Sequence, residues 1–371
     1  MGLTAPTVRL TAEDRDAGAL KPVAAAPPAT GCRMSNSLYV KANGDMPCWD
    51  DAGEELTLRA IDEAELRSGK GESLFNSEAL KHIRSSFLAG TDPHPDFCSR
   101  CAVRGQGRTT DVERTSMRIL HIEPCYLCQL ACPLCFTPKE RLGLKGAPYY
   151  MDFSFYEALL RRLRSEGVRD IQVVHFEGRG DPLLNRELGE MVRLTKELYP
   201  RSFVQITTHG NYKFKPWMLD AGVDLLRLSV DGAFQESYET YRVNGQLDKV
   251  LGLMRDLRDA RATIPSSTRV VWKYILFEWN DSDREIREAA RLAAEMGVDL
   301  SFCLTHTPGR SQRFATDEAL VEALRLLAPS AKTERTYPMR PPKQAPTFFT
   351  RVVNKSRRVA RGLPLVGSAG R

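Results

Sequence analysis

Beginning at Met117, six short runs rich in β-branched and aromatic residues alternate with segments of helical periodicity. The runs are MRILHIE (117–123), IQVVHFEG (171–178), FVQITTHG (203–210), LLRLSVDG (225–232), VVWKYILF (270–277) and VDLSFCLT (298–305). The intervening segments, such as 155–167 and 281–297, space their apolar residues as an amphipathic helix does. Strands that alternate with helices form βαβ units and a parallel sheet. The pattern therefore predicts an α/β fold, a partial (βα)6 TIM-like barrel, with its chemistry at the carboxyl ends of the strands.

Composition and spacing divide the chain into four predicted segments. Residues 1–30 are rich in Ala and Pro, and we expect a flexible lead-in. Residues 31–112 hold cysteines on both sides of a helical stretch, which favours a small cysteine-rich domain stapled by metal. The predicted barrel occupies 113–312. Residues 313–371 contain one predicted helix, at 316–327, and a basic tail.

Hydropathy and charge bear on location and partners. No run approaches the roughly 18 apolar residues of a membrane helix, and no secretory signal is evident, so we expect a cytoplasmic chain with no membrane partner. Much of the net charge of +6 lies in a C-terminal group, Lys355, Arg357, Arg358 and Arg361, which we interpret as a solvated tail. A nucleic-acid partner is therefore not expected. A zinc-binding, nucleic-acid-binding protein stays open as the non-enzymatic alternative.

Eight of the nine cysteines fall into two groups, and only Cys303 stands alone. In a cytoplasmic chain, such grouping indicates a metal site or catalysis rather than disulfides. The second group, Cys125, Cys128, Cys132 and Cys135, follows the first predicted strand, and its last three members read C-x3-C-x2-C. Three thiolates leave one iron of a 4Fe–4S cluster open to another ligand. A structural zinc ion and a four-thiolate cluster that includes Cys125 stay open as alternatives.

The stretch HIEPCYLCQLACPLCF (121–136) resembles the cluster-binding motif of the radical S-adenosylmethionine (SAM) superfamily. The resemblance implies that Cys128, Cys132 and Cys135 bind a 4Fe–4S cluster whose open iron is chelated by SAM. It also implies that an electron from a partner such as flavodoxin or ferredoxin cleaves SAM. The resulting 5′-deoxyadenosyl radical then removes a hydrogen atom from the substrate. The residue before the last cysteine, often aromatic in the family, is Leu134 here.

Four further stretches resemble motifs of that family, each near the end of a predicted strand. EGRGDPLLN (177–185) is similar to the Gly-Gly-Glu-Pro motif that holds the methionine amino group, with Asp181 in place of glutamate. TTHG (207–210) is similar to a Thr-Asn-Gly turn, and RLSVDG (227–232) to the ribose-contacting element. WKYILFEWND (272–281) is similar to the region near the adenine and methionyl groups. These similarities imply that SAM is contacted by Phe136, Gly178, Arg179, Gly180, Asp181, Pro182, Thr208, Ser229, Asp231 and Lys273.

The first cysteine group consists of Cys32, Cys48, Cys98 and Cys101. The last three lie in LYVKANGDMPCWD (38–50) and DFCSRC (96–101), which resemble a SPASM or Twitch module. In the family this auxiliary-cluster module normally follows the barrel, whereas here it precedes it. The resemblance implies a second 4Fe–4S cluster, whose four ligands would be Cys32, Cys48, Cys98 and Cys101. A structural zinc ion uses the same ligand set and stays open. Cys125 could replace Cys32 as a ligand.

Cys303 lies near the carboxyl end of the last predicted strand, where alternation allows its side chain either face of the sheet. It could be a small hydrophobic residue of the core. Alternatively it resembles the hydrogen-atom donor of radical SAM epimerases, since an S–H bond is weak compared with C–H. Other polar residues near the predicted strand ends are candidates for holding a substrate: Glu123, His175, Glu177, Arg179, His306 and Arg310.

Taken together, these features predict a radical SAM enzyme that acts on a small molecule. The preferred reaction is epimerisation of a sugar-like moiety in natural-product (antibiotic) biosynthesis, with Cys303 as the catalytic residue. Oxidation of an alcohol, with the auxiliary cluster accepting an electron, is the second hypothesis. Peptide maturation is the third, because enzymes with such auxiliary domains also modify peptides.

Overall fold

The computed structural model describes residues 31–49, 55–99, 101, 103–135, 149–305 and 307–334. Several predictions lie outside the described residues. They concern the lead-in (1–30), Phe136, His306 and the basic tail.

Ten strands and ten α-helices make up the described part of the chain. The strands are β1 (Ser37–Lys41), β2 (Asp45–Trp49), β3 (Glu55–Ala60), β4 (Ser116–Glu123), β5 (Asp170–Phe176), β6 (Phe203–Thr208), β7 (Leu225–Ser229), β8 (Arg269–Ile275), β9 (Asp299–Cys303) and β10 (Lys332–Glu334). The helices are α1 (Glu63–Ser68), α2 (Glu78–Leu88), α3 (Pro95–Cys98), α4 (Phe153–Ser165), α5 (Leu188–Leu198), α6 (Trp217–Asp220), α7 (Gln235–Tyr241), α8 (Leu247–Ala260), α9 (Asp283–Met296) and α10 (Asp317–Leu327).

Eight of the strands form one parallel sheet in the order β1-β4-β5-β6-β7-β8-β9-β10. Strands β4 to β9 correspond to the six predicted strands, and helices separate them along the chain, so the predicted α/β partial barrel is confirmed. An ion pair of 3.0 Å joins Arg227 on β7 to Glu334 on β10 across two intervening strands. The sheet therefore curves, because a flat sheet would hold these strands about three spacings of 4.8 Å apart.

Strand alternation gives the sheet one apolar face and one face of mixed polarity. The apolar side chains pack beneath the helices, and those at the centre of each strand, such as Leu120, Val174, Ile206, Leu228 and Trp272, are fully buried. Their neighbours along the strands point to the opposite face, which we call the lumen face. Apolar residues such as Ile119, Val173 and Leu225 share this face with polar residues and one cysteine, namely Tyr39, His121, His175, Gln205, Thr207, Arg227, Ser229, Lys273, Ser301 and Cys303.

The segment that carries the first cysteine group contributes a strand to the barrel sheet. β1 pairs in parallel with β4 and places Tyr39 opposite His121. The chain then reverses at Gly44, whose φ of +83° suits glycine, and β2 pairs with β3 as an antiparallel hairpin. The strands on either side of Gly44, β1 and β2, thus pair with different partners.

A buried arginine ties this N-terminal segment together. Arg84 on α2 has no exposed surface, and its guanidinium donates to the carbonyls of Ser35, Phe75 and Val112 and to the side-chain oxygen of Asn76. Burial lowers the pKa of Arg84 to about 10. Among the described helices, none has both the length and the apolar character needed to cross a bilayer.

Candidate active site

The loop after β4 carries the cysteine triad. Cys128, Cys132 and Cys135 are all partly buried on this loop. The backbone N–H of Leu130 donates to the Cys128 sulfur at 3.4 Å, and the N–H of Cys135 closes a turn on the carbonyl of Cys132 at 3.1 Å. Partly buried thiols that accept N–H hydrogen bonds suit a 4Fe–4S cluster, since such bonds stabilise thiolate ligands. The donor set therefore fits the cluster that the triad predicts.

Two neighbouring loops fix the position of the cluster loop. The N–H of Ala131 donates to the carbonyl of Val243 at 3.0 Å, and the N–H of Asp181 donates to the carbonyl of Leu127 at 2.8 Å. At Gly180 the loop after β5 comes so close that a Cβ atom would lie 2.0 Å from the carbonyl oxygen of Cys125. Glycine is therefore required at this position for steric reasons.

Asp181 lies at the centre of the loop contact between β5 and β6. Its carboxylate accepts hydrogen bonds from the Thr208 hydroxyl and from the N–H groups of Leu183 and His209, at 2.8 to 3.0 Å. Its exposed fraction is only 4%. These bonds favour a role in positioning the two loops rather than a direct carboxylate contact with SAM.

Asp231 is also engaged within the protein. It is fully buried, and its carboxylate accepts the N–H of Ile275 and the Nε–H of Arg242, each at 2.7 Å. The Nη2 atom of Arg242 lies 2.6 Å from the same carboxylate in an ion pair. The remaining arm of Arg242 donates to the sulfur of Cys132 at 3.8 Å. The end of β7, the end of β8 and the cluster loop are therefore joined through one ion pair.

The other residues predicted to contact SAM lie near these loops. Gly178 and Arg179 stand beside Glu123, whose side chain would clash with a Cβ atom at Gly178 and accepts the backbone N–H of Arg179. Ser229 is half-buried at the end of β7, in register with the buried Lys273 on β8. The remaining two, Pro182 and Thr208, are buried.

Cys125 occupies a different position from the triad. It is 1% exposed, and its sulfur accepts the N–H of Leu127 at 3.1 Å. Burial raises the pKa of Cys125 to about 12, although the Leu127 hydrogen bond acts in the opposite direction. Its surroundings are those of a buried thiol beneath the cluster loop.

On the lumen face, His175 and Glu177 form a close pair. The Nε2 atom of His175 lies 2.6 Å from Oε2 of Glu177 and 3.1 Å from the hydroxyl of Thr207. Burial by itself would raise the pKa of Glu177, but the adjacent His175 lowers it well below the usual value. An imidazole in contact with a carboxylate suits the pair for taking up a proton during a reaction at the mouth of the barrel.

The first cysteine group converges on one cavity. The cavity is lined by all four of its members, Cys32, Cys48, Cys98 and Cys101, and by Arg104. Cys32 accepts the N–H of Met34 at 3.4 Å, and burial raises its pKa to about 12. Because a thiol must lose its proton to bind metal, metal binding here would release protons. Four sulfurs that line one cavity are the donor set that the predicted second cluster requires.

The described residues contain no group of three or more His, Cys, Asp or Glu side chains arranged around a single metal-ion position. In a 4Fe–4S cluster each thiolate binds a different iron, and the ligand sulfurs lie farther apart than around one ion.

A series of contacting rings connects this cavity with the lumen face. Trp49 follows Cys48 in the chain, and its ring centroid lies 4.9 Å from that of His121. Tyr39, which lines the cavity, lies 4.3 Å from His121, and His121 lies 5.2 Å from His175. These separations are typical of ring pairs in contact. The cavity and the lumen pair are therefore linked without a gap.

Cys303 lies on the lumen face, in register with Ile275 and Glu334, but its side chain has no exposed surface. Burial raises its pKa to about 12, with Lys273 acting in the opposite direction, so the thiol is protonated. The side chain therefore points to the lumen face and is buried there.

Sequence reasoning missed Arg242, Tyr39, Trp49 and His121 as site residues. Arg242 lies in YRVNG (241–245), where only its spacing after VDG (230–232) could have been a signal. The three ring residues follow an alternating strand pattern that gives no indication of what they contact.

A family model described as the radical SAM superfamily matches residues 122–327. The match covers more than half of the 371 residues, and the chain therefore belongs to the radical SAM superfamily. Membership implies an enzyme with a 4Fe–4S cluster and SAM, which agrees with the donor set of the loop after β4.

Among curated proteins, the chain is similar to the 7,8-dihydro-6-hydroxymethylpterin dimethyltransferase of Methanocaldococcus jannaschii, with 24% identity over 185 residues, 48% of this chain and 33% of that protein. It is 29% identical over 126 residues to the GTP 3′,8-cyclase of Limosilactobacillus fermentum, covering 33% of this chain and 36% of that protein. The chain thus spans about a third of the length of these relatives. A solved radical SAM methyltransferase from Sphaerobacter thermophilus is 18% identical, with a TM-score of 0.43 over 61% of this chain and 67% of that one.

Proposed function

We propose that the chain oxidises an alcohol group of a polar small molecule, such as a sugar-containing natural product, by radical SAM chemistry. The observation that carries this proposal is the series of ring contacts from the four-cysteine cavity to His175 on the lumen face. An oxidation needs an outlet for a second electron and an acceptor for a proton. The cavity and the His175–Glu177 pair are suited to these two tasks.

We assign the SAM cluster to Cys128, Cys132 and Cys135, with an electron supplied by flavodoxin or ferredoxin in the cytoplasm. When bound, the cluster and SAM supply a 5′-deoxyadenosyl radical. We assign the second iron–sulfur cluster to Cys32, Cys48, Cys98 and Cys101, where four thiolates close the coordination of every iron. We place the boundary between cluster module and barrel near residue 112, with β1 as the strand they share.

In the proposed reaction the alcohol group loses a hydrogen atom, a proton and an electron. One hydrogen atom leaves the alcohol carbon and becomes part of 5′-deoxyadenosine. The hydroxyl proton passes to His175, where Glu177 stabilises the resulting positive charge. A cluster held by Cys32, Cys48, Cys98 and Cys101 would accept the remaining electron through the ring contacts as the carbon–oxygen double bond forms. The product is a ketone or aldehyde.

Anaerobic reconstitution followed by iron analysis tests the cofactor assignment. We expect about eight irons per chain, and about four after Cys98 and Cys101 are both replaced by alanine. This double variant should still form 5′-deoxyadenosine with a chemical reductant, since the triad is intact. Colourless protein loaded with zinc would contradict both assignments.

A substrate screen tests the reaction. Sugar alcohols and glycosylated natural products are offered together with GTP and the dihydropterin, because the relatives are named for those two compounds. We expect one carbonyl product per 5′-deoxyadenosine and no deuterium from heavy water in the product. Trp49→Leu should slow carbonyl formation far more than Trp49→Phe, the matched control that keeps a ring.

Epimerisation is the second candidate, favoured by the inward register of Cys303 and its protonated thiol. In that reaction the thiol returns a hydrogen atom to the substrate carbon from the opposite side. Because Cys303 is fully buried, the side chains that cover it must move to admit the substrate. Solvent deuterium at the abstracted carbon, lost in Cys303→Ala, would favour this candidate over oxidation.

A further inference from the structure

We propose that Arg242 is a positioning residue that holds the Cys132 thiolate and raises the reduction potential of the SAM-binding cluster. The proposal rests on the assignment of Cys132 as a cluster ligand. It concerns a side chain that belongs to none of the family-like motifs.

The geometry of Arg242 carries the argument. Its Nε atom donates to Oδ2 of Asp231 at 2.7 Å, and its Nη2 atom lies 2.6 Å from the same oxygen in an ion pair, so that this end of the guanidinium is held by the carboxylate. The Nη1 atom then points to the sulfur of Cys132 at 3.8 Å. A second contact from the same turn, between the carbonyl of Val243 and the N–H of Ala131, holds the cluster loop at 3.0 Å.

The fully buried Asp231 keeps Arg242 in place from the other side. Its second oxygen accepts the N–H of Ile275, and its backbone carbonyl accepts the side-chain amide of Asn280 at 3.0 Å. The guanidinium of an arginine keeps its positive charge in proteins, so Arg242 presents a fixed cation to the sulfur.

Charge determines the sign of the effect. A reduced cluster carries one more negative charge than an oxidised one, and a nearby cation therefore stabilises the reduced form more. Hydrogen bonds to ligand sulfurs act in the same direction. Loss of the guanidinium should thus make the cluster harder to reduce.

The test is a redox titration of the reconstituted enzyme, monitored by electron paramagnetic resonance without SAM or substrate. For Arg242→Gln we expect the reduction equilibrium to shift about tenfold towards the oxidised cluster, which is about 59 mV for a one-electron couple. Arg242→Lys keeps the charge and should shift less. Lys196→Gln, which removes a cation paired with Asp224 at 2.6 Å elsewhere in the barrel, is the control and should leave the potential unchanged.

An unchanged potential in an Arg242→Gln variant that retains its iron would overturn the proposal. If that variant loses its iron, the test uses wild-type protein labelled with nitrogen-15 arginine. We expect electron paramagnetic resonance to show a weak nitrogen-15 coupling to the reduced cluster, and the absence of this coupling would overturn the proposal. Cys132→Ala separates this outcome from a wrong ligand assignment, because normal iron binding by Cys132→Ala would refute the ligation itself. The potential needs no substrate, so its result is independent of the proposed oxidation.

Discussion

His175 and Glu177 face each other at the end of β5, with the imidazole Nε2 only 2.6 Å from the carboxylate Oε2. His121 stands behind this pair, 5.2 Å from the His175 ring, and burial together with His175 lowers the pKa of His121 to about 4. His121 is therefore neutral near pH 7. Of these two histidines, the one beside the carboxylate is the better placed to hold a proton.

The pair predicts a pH dependence of stability. Because the pKa of Glu177 is lowered in the folded state, its contribution to stability is present above the usual value of about 4.5 and is lost as the pH falls below it. We expect the difference in urea midpoint between wild type and Glu177→Gln to shrink as the pH falls below that value. A difference that grows in acid would contradict the ion pair.

Gly180 provides a steric test of the cluster loop. An added Cβ atom would lie 2.0 Å from the Cys125 carbonyl, so Gly180→Ala must displace the loop. We expect a loss of iron and of 5′-deoxyadenosine formation. Gly252 on α8 is the matched control, since an added Cβ atom there meets nothing within 4 Å. Gly252→Ala should keep its iron and stabilise the fold by about 0.5–1 kcal/mol, measured by urea unfolding.

Arg84 is predicted to be a major determinant of stability in the N-terminal segment. Arg84→Met would leave three carbonyls and the Asn76 oxygen without this donor. Because the variant also no longer has to bury a charge, we expect the free energy of unfolding to fall by about 2–4 kcal/mol. Thermal unfolding of the reconstituted protein measures the effect. Arg67→Met breaks only an exposed ion pair with Glu63 and should change the free energy of unfolding by less than about 1 kcal/mol. Equal effects of Arg84→Met and Arg67→Met would refute the prediction.

Cys125 and Cys128 are separated by only two residues but should behave differently. Cys128→Ala should abolish formation of 5′-deoxyadenosine, because it removes a proposed ligand of the SAM cluster. Cys125→Ala should retain this activity and the full iron content, since its thiol is buried and bonded to Leu127. Loss of iron in Cys125→Ala would instead support the four-thiolate alternative.

The alternation of six strands with helices and the spacing of Cys128, Cys132 and Cys135 were sufficient to predict the partial barrel and the superfamily. Both signals are local, because hydrophobic periodicity and a short motif are complete within a few turns of chain. The predicted helix at 316–327 agrees with α10 for the same reason.

Only the tertiary structure determined what surrounds those cysteines. Arg242 reaches Cys132 across 110 residues, and Tyr39 meets His121 because β1 adds to the edge of the sheet beside β4. The same packing engages Asp181 and Asp231 with protein donors, which shifts their proposed role from binding SAM to holding the loops. Such contacts depend on how strands and loops come together in space, and no local pattern in the sequence records that arrangement.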